Sequence, residues 1–151
     1  IFAHPAFVRL MPAIALLSAM NFVYQGLWAG PWLRDVAGLG DTARASVLMI
    51  YAFGLMAGSL AFGQFATVLQ RRGWPAMTAA WIAMGGMLAL QIVLMLAPTR
   101  DPVPVAVIWF LFAMCGAAGP AGYAAVGQRF TADVAARVAT AINVSMLVLV
   151  V

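Results

Sequence analysis

Ionisable side chains are scarce in this sequence. Charged residues make up 8% of the chain, and neither lysine nor glutamate occurs. A soluble domain carries about 25% charged residues, so this chain has too few polar side chains to cover a water-exposed surface. The net charge of +4 comes from arginines scattered along the chain. Because nucleic-acid binding needs a clustered basic patch, we expect no nucleic acid as a partner.

Cysteine and histidine are almost absent as well. Cys115 is the single cysteine and His4 the single histidine. One thiol cannot form a disulfide framework, and these two residues provide no metal-ligand spacing. Nothing in the sequence places His4 beside Cys115 or a serine as a nucleophile–base pair. We therefore expect no metal, no cofactor and no enzymatic activity.

Long uncharged runs occupy most of the chain, 66% of which is hydrophobic. Four of these runs exceed the roughly 20 residues that a helix needs to cross a bilayer. A fifth run is shorter and ends with the sequence. The predicted spans cover about residues 10–33, 45–70, 74–98, 103–127 and, truncated, 137–151. We expect an all-α integral membrane bundle of four complete spans, with a fifth helix that stops inside the membrane, as in a piece of a longer chain.

The charges between these spans predict an orientation. Five arginines and one aspartate fall on one side of the membrane: Arg9, Arg71, Arg72, Arg129, Arg137 and Asp133. The charges on the other side sum to zero: Arg34, Asp35, Asp41, Arg44, Arg100 and Asp101. Arginine-rich short loops stay in the cytoplasm. We expect a multi-pass protein of the bacterial inner membrane, with the N-terminal end of this segment cytoplasmic.

Two segments resemble the major facilitator superfamily of transporters. Residues 30–40 are similar to an outer loop that joins an odd-numbered helix to the next. Residues 58–73 resemble the superfamily's cytoplasmic motif G-x-L-A-D-R-x-G-R-R, with matches at Gly63, Ala66, Arg71 and Arg72. Thr67 stands where the motif has aspartate. A degenerate copy of this motif is typical of the C-terminal half of these transporters. The resemblance therefore implies that the chain covers helix 7 to the start of helix 11.

The resemblance has implications for function. Arg137, Thr140 and Asn143 resemble the opening of helix 11 in bacterial members. The family transports small solutes by alternating access, so the implied partners are a small-molecule solute, the lipid bilayer and an N-terminal half of the same chain. A coupling proton is a further candidate. Because Thr67 lacks a charge, we expect its loop to contribute little to gating, with Arg71 and Arg72 acting as topology anchors.

Span one carries a polar stripe. Ser18, Asn21, Gln25 and Trp28 recur at helical spacing, and Tyr24 flanks them. Two interpretations fit such a stripe, namely hydrogen bonding between helices or the wall of a polar cavity. Helix 7 lines the central cavity in the superfamily, so the resemblance implies a cavity wall. Our substrate-cavity candidates are Asn21, Tyr24, Gln25 and Trp28.

Glycines mark two other spans. Gly54 and Gly58 in span two have a spacing that lets helix backbones approach closely, which favours packing over ligand binding. Span four contains a predicted helix break at Gly116, Gly119, Pro120 and Gly122, since proline removes a backbone donor. A membrane tolerates such a break where protein or water satisfies the freed carbonyls. We predict that it flexes during transport; a static kink is the alternative.

All four carboxylates lie between the predicted spans. Proton-coupled carriers place an ionisable side chain within the membrane, so a proton-carrying residue is expected outside this segment. The expected function is secondary active or facilitative transport of a small solute. The alternative is a small polytopic assembly subunit that uses its glycine faces to bind partner helices and has no transport activity of its own.

Overall fold

The computed structural model describes residues 4–96 and 99–150, and within these ranges it contains helices and no strands. Four helical segments are long and apolar enough to cross a membrane, and a shorter apolar helix covers Val134–Val150. The four are Phe7–Asp35, Asp41–Arg71, Thr78–Leu96 and Pro102–Gly127. Many large apolar side chains point outward, as suits a surface that faces lipid. The all-α prediction is confirmed, and the chain is a multi-pass membrane protein.

The first span is one continuous rod with an irregular centre. It consists of α1 (Pro5–Val23), a π-helical turn (Tyr24–Trp28) and α2 (Ala29–Asp35), so it extends beyond the predicted residues 10–33 at both ends. The amide of Ala29 donates to the carbonyl of Tyr24, five residues earlier. A π-helical turn contains one residue more than an α-helical turn. The side chains that follow it are therefore rotated about the helix axis relative to those of α1.

The second span, α3 (Asp41–Arg71), begins earlier than the predicted residue 45. The connection before it is therefore shorter than the loop predicted between Arg34 and Arg44. Gly38 turns the chain there with φ of +67°, a conformation that favours glycine. Arg34 pairs with its neighbour Asp35, and Arg44 pairs with Asp41 at the start of α3, both at 2.7 Å. These exposed pairs leave the loop neutral and add little stability.

The turn that ends α3 makes the third span begin later in the sequence than predicted. Gly73 has φ of +80°, its amide donates to Gln70, and the Trp74 amide donates to Leu69. These two bonds form the glycine-terminated helix ending known as a Schellman motif. The next helix, α4 (Thr78–Leu96), starts only after the turn at Pro75. This helix begins four residues after the predicted start of the span at about residue 74, and the predicted end at about residue 98 lies outside the described residues.

The fourth span consists of two helices, α5 (Pro102–Gly116) and α6 (Gly119–Gly127), so the predicted break is present. The Asp101 carboxylate caps α5 by accepting a hydrogen bond from the Val103 amide at 3.0 Å. The last helix, α7 (Ala132–Val150), begins five residues before the predicted start at residue 137. Its apolar part, Val134–Val150, is shorter than the four spanning segments, and its end within the membrane stays a prediction.

Glycines bring α3 against α5. A Cβ atom added at Gly54 would lie 2.5 Å from the carbonyl oxygen of Phe110, and one at Gly58 would lie 2.6 Å from the Cα atom of Met114. Real carbon atoms pack at about 3.5–4.0 Å, so only glycine permits this approach. The predicted packing role of Gly54 and Gly58 is confirmed, and their partner is a helix of the same chain.

Candidate functional site

A cavity of about 610 Å³ opens between α1, α3, α6 and α7, next to the break in the fourth span. Its lining combines amides, hydroxyls, backbone and apolar side chains: Ser18, Asn21, Phe22, Gln25, Leu55, Ser59, Gly116, Ala117, Gly119, Pro120, Tyr123, Asn143 and Met146. The volume falls within the roughly 300–1,000 Å³ of small-molecule sites. The structure therefore offers a cavity of ligand size, lined by both polar and apolar groups, within its membrane-spanning part.

Two polar residues of α1 are buried at the edge of this cavity. Ser18 is 7% exposed and Asn21 is 9% exposed. The Tyr51 hydroxyl of α3 donates a hydrogen bond of 2.8 Å to Oδ1 of Asn21. Asn21 thus fits both interpretations of the polar stripe, because it bonds a neighbouring helix and also lines the cavity. Gln25 lines the same cavity and is exposed.

The polar stripe of α1 packs directly on the glycines of the broken span. A Cβ atom added at Gly116 would lie 2.7 Å from Cγ of Asn21, and one at Gly119 would lie 3.1 Å from the Ser18 hydroxyl. One turn further along, a Cβ atom at Gly122 would lie 3.0 Å from Ile14. The sequence shows the stripe and the glycines as separate features, whereas in the fold they form one contact.

The break itself lies at Ala117 and Ala118, where the helix opens into turns. Pro120 is the second residue of α6 and has no N–H to donate to the carbonyl of Gly116, four residues earlier. Gly116 and Pro120 both line the cavity. The irregular backbone is therefore located beside open space, as expected for a broken helix in a membrane.

A second pair of amide and phenol groups lies on the other side of the break. The Tyr123 hydroxyl of α6 donates a hydrogen bond of 2.7 Å to Oδ1 of Asn143 on α7. Asn143 belongs to the predicted helix 11 motif, and the structure brings it to the cavity. Its motif neighbours do not line the cavity: the Thr140 hydroxyl donates to Ala136 of its own helix, and Arg137 is exposed.

Tyr24 and Trp28 do not join the other cavity candidates. They line a separate cavity of about 310 Å³ together with Trp32 and Gln91. Trp28 belongs to the π-helical turn, in which backbone spacing departs from the regular helix that the offset of three residues assumes. The predicted polar face is thus divided, with Asn21 and Gln25 at one cavity and Tyr24 and Trp28 at another.

An aromatic cluster behind the cavity is absent from the sequence interpretation. Trp109 is 1% exposed, and the rings of four aromatic residues lie 5.6 to 6.0 Å from its ring: Tyr24, Trp32, Tyr51 and Phe112. Among the described residues, its indole Nε1 has no hydrogen-bond partner. These residues come from three spans and follow no common spacing, so the sequence holds no signal that unites them.

The degenerate motif at residues 58–73 contributes to a third cavity, of about 580 Å³. Gly63, Ala66, Thr67 and Arg71 line it, and Arg72, which follows the last residue of α3, is exposed. The Thr67 hydroxyl donates to the carbonyl of Gly63 at 3.0 Å, so this bond stays within α3. Pro120 borders this cavity as well as the 610 Å³ cavity, which places the helix break between the two.

Charge is absent from the lining of the 610 Å³ cavity as far as the chain is described. The lining contains no arginine, aspartate or histidine, and residues 4–96 and 99–150 hold no group of metal-ligating side chains. The side chain of Asp133 lies outside the described residues. What the cavity offers is hydrogen bonding by neutral groups next to apolar surface.

Comparisons with known proteins found no relative of this chain. No protein-family model, curated protein or solved structure matches the chain. The resemblance to the major facilitator superfamily therefore rests on the residues of this sequence alone. Any function has to be argued from the cavity and the helices around it.

Proposed function

We propose that this chain forms the C-terminal half of a major facilitator transporter, which moves a small solute by alternating access. The observation that carries the proposal is the 610 Å³ cavity of neutral polar groups beside the broken fourth span. Transport is secondary active or facilitative. Its partners are the solute, the bilayer and an N-terminal half that supplies the opposite wall, with a coupling proton as a further candidate.

The cost of polar groups in hydrocarbon supports this proposal. Amides and hydroxyls inside a membrane are stable where they bond each other or line a water-filled space. Asn21 and Asn143 do both, because each accepts from a tyrosine and each borders the cavity. A cavity that admits water within a spanning bundle is what a solute pathway requires, and interrupted helices mark such pathways in transporters.

The competing proposal, an assembly subunit, uses glycine faces of the chain to bind partner helices. At span two the structure does not favour it. Gly54 and Gly58 are buried and pack on Phe110 and Met114 of α5 in the same chain. These glycines are not available to an external helix while α3 and α5 stay in contact, so the packing of span two gives the alternative no support.

Cysteine accessibility tests the proposal in the whole natural protein in membrane vesicles. With Cys115→Ala as background, Gln25→Cys is expected to react with a charged, membrane-impermeant thiol reagent, because water fills a solute cavity. Leu88→Cys is the matched control, since Leu88 is 54% exposed on the apolar outside of α4 and faces lipid. We expect the control to stay unmodified. Equal protection of both cysteines would show a dry site and contradict a transport pathway.

A further inference from the structure

Two tyrosine hydroxyls fix the orientation of the two asparagine amides in the 610 Å³ cavity. Tyr51 donates to Oδ1 of Asn21 at 2.8 Å, and Tyr123 donates to Oδ1 of Asn143 at 2.7 Å. An asparagine amide has an oxygen that accepts and a nitrogen that donates. Because both oxygens are engaged by phenols, the nitrogen is the free end in each case.

Each Nδ2 therefore keeps two N–H donors that no hydrogen bond within the described chain uses, and both asparagines line the cavity. The hydroxyl of Ser59 has the opposite character. It donates its proton to the carbonyl of Leu55 at 2.9 Å, which leaves its oxygen to accept. The cavity thus has a pair of oriented amides on α1 and α7, beside the exposed amide of Gln25.

The remaining lining limits the ligand further. Phe22, Leu55 and Met146 supply apolar surface, and no described lining residue carries a charge that could balance an ion. Moving an unbalanced ion out of water is far more costly than moving a neutral polar group that finds hydrogen-bond partners. A wholly apolar solute also fits poorly, because it would leave the amide donors without acceptors.

We infer that the cavity binds an uncharged solute whose carbonyl or hydroxyl oxygens accept hydrogen bonds from Nδ2 of Asn21 and Asn143, and whose apolar part contacts Phe22 and Met146. The inference rests on the proposed function for its setting, since it names the substrate class of that transporter. Tyr51 and Tyr123 are positioning residues, which hold the amides with their donors toward the solute.

Matched solute pairs test the charge preference with the purified whole protein. The pairs are D-glucose and D-gluconate, uridine and uridine monophosphate, and nicotinamide and nicotinate. Dissociation constants come from the rise of the unfolding midpoint as each solute is titrated. We expect at least one neutral member to bind on the order of tenfold more tightly than its anion. Tighter binding of the anions, or binding of no neutral member, overturns the inference.

Substitution at Asn143 tests the donors with the neutral solute that binds best. Asn143→Asp keeps an oxygen that accepts from Tyr123 but replaces the Nδ2 donor with a second oxygen. We expect binding of the solute to weaken on the order of tenfold. Tyr123→Phe frees the amide to turn, and we expect a loss of a few fold. Ser145→Ala is the control on α7, because the Ser145 hydroxyl donates to Ala141 of its own helix. If Asn143→Asp does not fold, Asn143→Ala replaces it.

Uptake into proteoliposomes separates this inference from the proposed function. Weaker binding in Asn143→Asp supports the inference. If the same solute is not taken up, the proposed transport is refuted while the inference about the amide donors stands. Uptake of an uncharged solute with equal affinity in Asn143→Asp and Ser145→Ala supports transport and refutes the role of the amide donors.

Discussion

The contact between α3 and α5 brings two helix backbones close together, and Gly58→Ala tests it. A Cβ atom at this position would lie 2.6 Å from the Cα atom of Met114 and 2.9 Å from its carbonyl carbon. Favourable carbon contacts occur at about 3.5–4.0 Å. The two helices would therefore have to separate by about 1 Å, which also loosens the contact at Gly54.

The expected loss of stability follows from two opposing terms. Overpacking costs about 1–3 kcal/mol, and the upper end applies here because the neighbour is backbone that cannot rotate away. Alanine in place of glycine contributes up to about 1 kcal/mol through helix propensity. We expect the free energy of unfolding to fall by about 2 kcal/mol in Gly58→Ala.

Gly63→Ala is the matched control on the same helix. No atom lies within 4 Å of a Cβ added at Gly63, so only the propensity gain applies. Unfolding of both variants in detergent, followed by circular dichroism during a denaturant titration, gives the comparison. We expect them to differ by about 3 kcal/mol, with Gly58→Ala the less stable. Equal stabilities would refute the close backbone contact.

Two further substitutions probe the break in the fourth span. Gly116→Ala is expected to displace the amide of Asn21 and cost about 1–3 kcal/mol, measured by the same titration, with Gly127→Ala as an unhindered control. The cost should shrink in an Asn21→Ala background, and a cost that stays the same would exclude this clash. Pro120→Ala restores a donor for the Gly116 carbonyl, so amide exchange should slow at the break and solute uptake should fall. Unchanged uptake would identify a static kink.

Helix boundaries show how far local sequence could predict the fold. The end of α3 at Gly73 and the start of α5 at Asp101 and Pro102 follow from caps that a few adjacent residues encode. Helix α7 begins five residues before the predicted fifth span, whose bounds follow the apolar run up to the charge of Arg137. Charge disfavours burial in lipid but does not end a helix, so Arg137 is helical and exposed.

The candidate site was predictable in its residue types and only partly in its arrangement. The helical spacing of Ser18, Asn21 and Gln25 correctly places them together at one cavity. The same spacing fails at Trp28, because the π-helical turn changes the register of the helix. Nothing in the local pattern signals that turn.

The sequence by itself determined that this is an all-α, multi-pass membrane protein. The sequence contains uncharged runs long enough to cross a bilayer. A charged side chain is costly in hydrocarbon wherever it packs, so these runs can be recognised from residue types alone. Only the tertiary structure decided that Asn21 packs on Gly116, that Tyr51 and Tyr123 orient the two amides, and that a cavity lies between them. These contacts join residues on different spans, and which helix faces meet depends on how the whole bundle fills its interior.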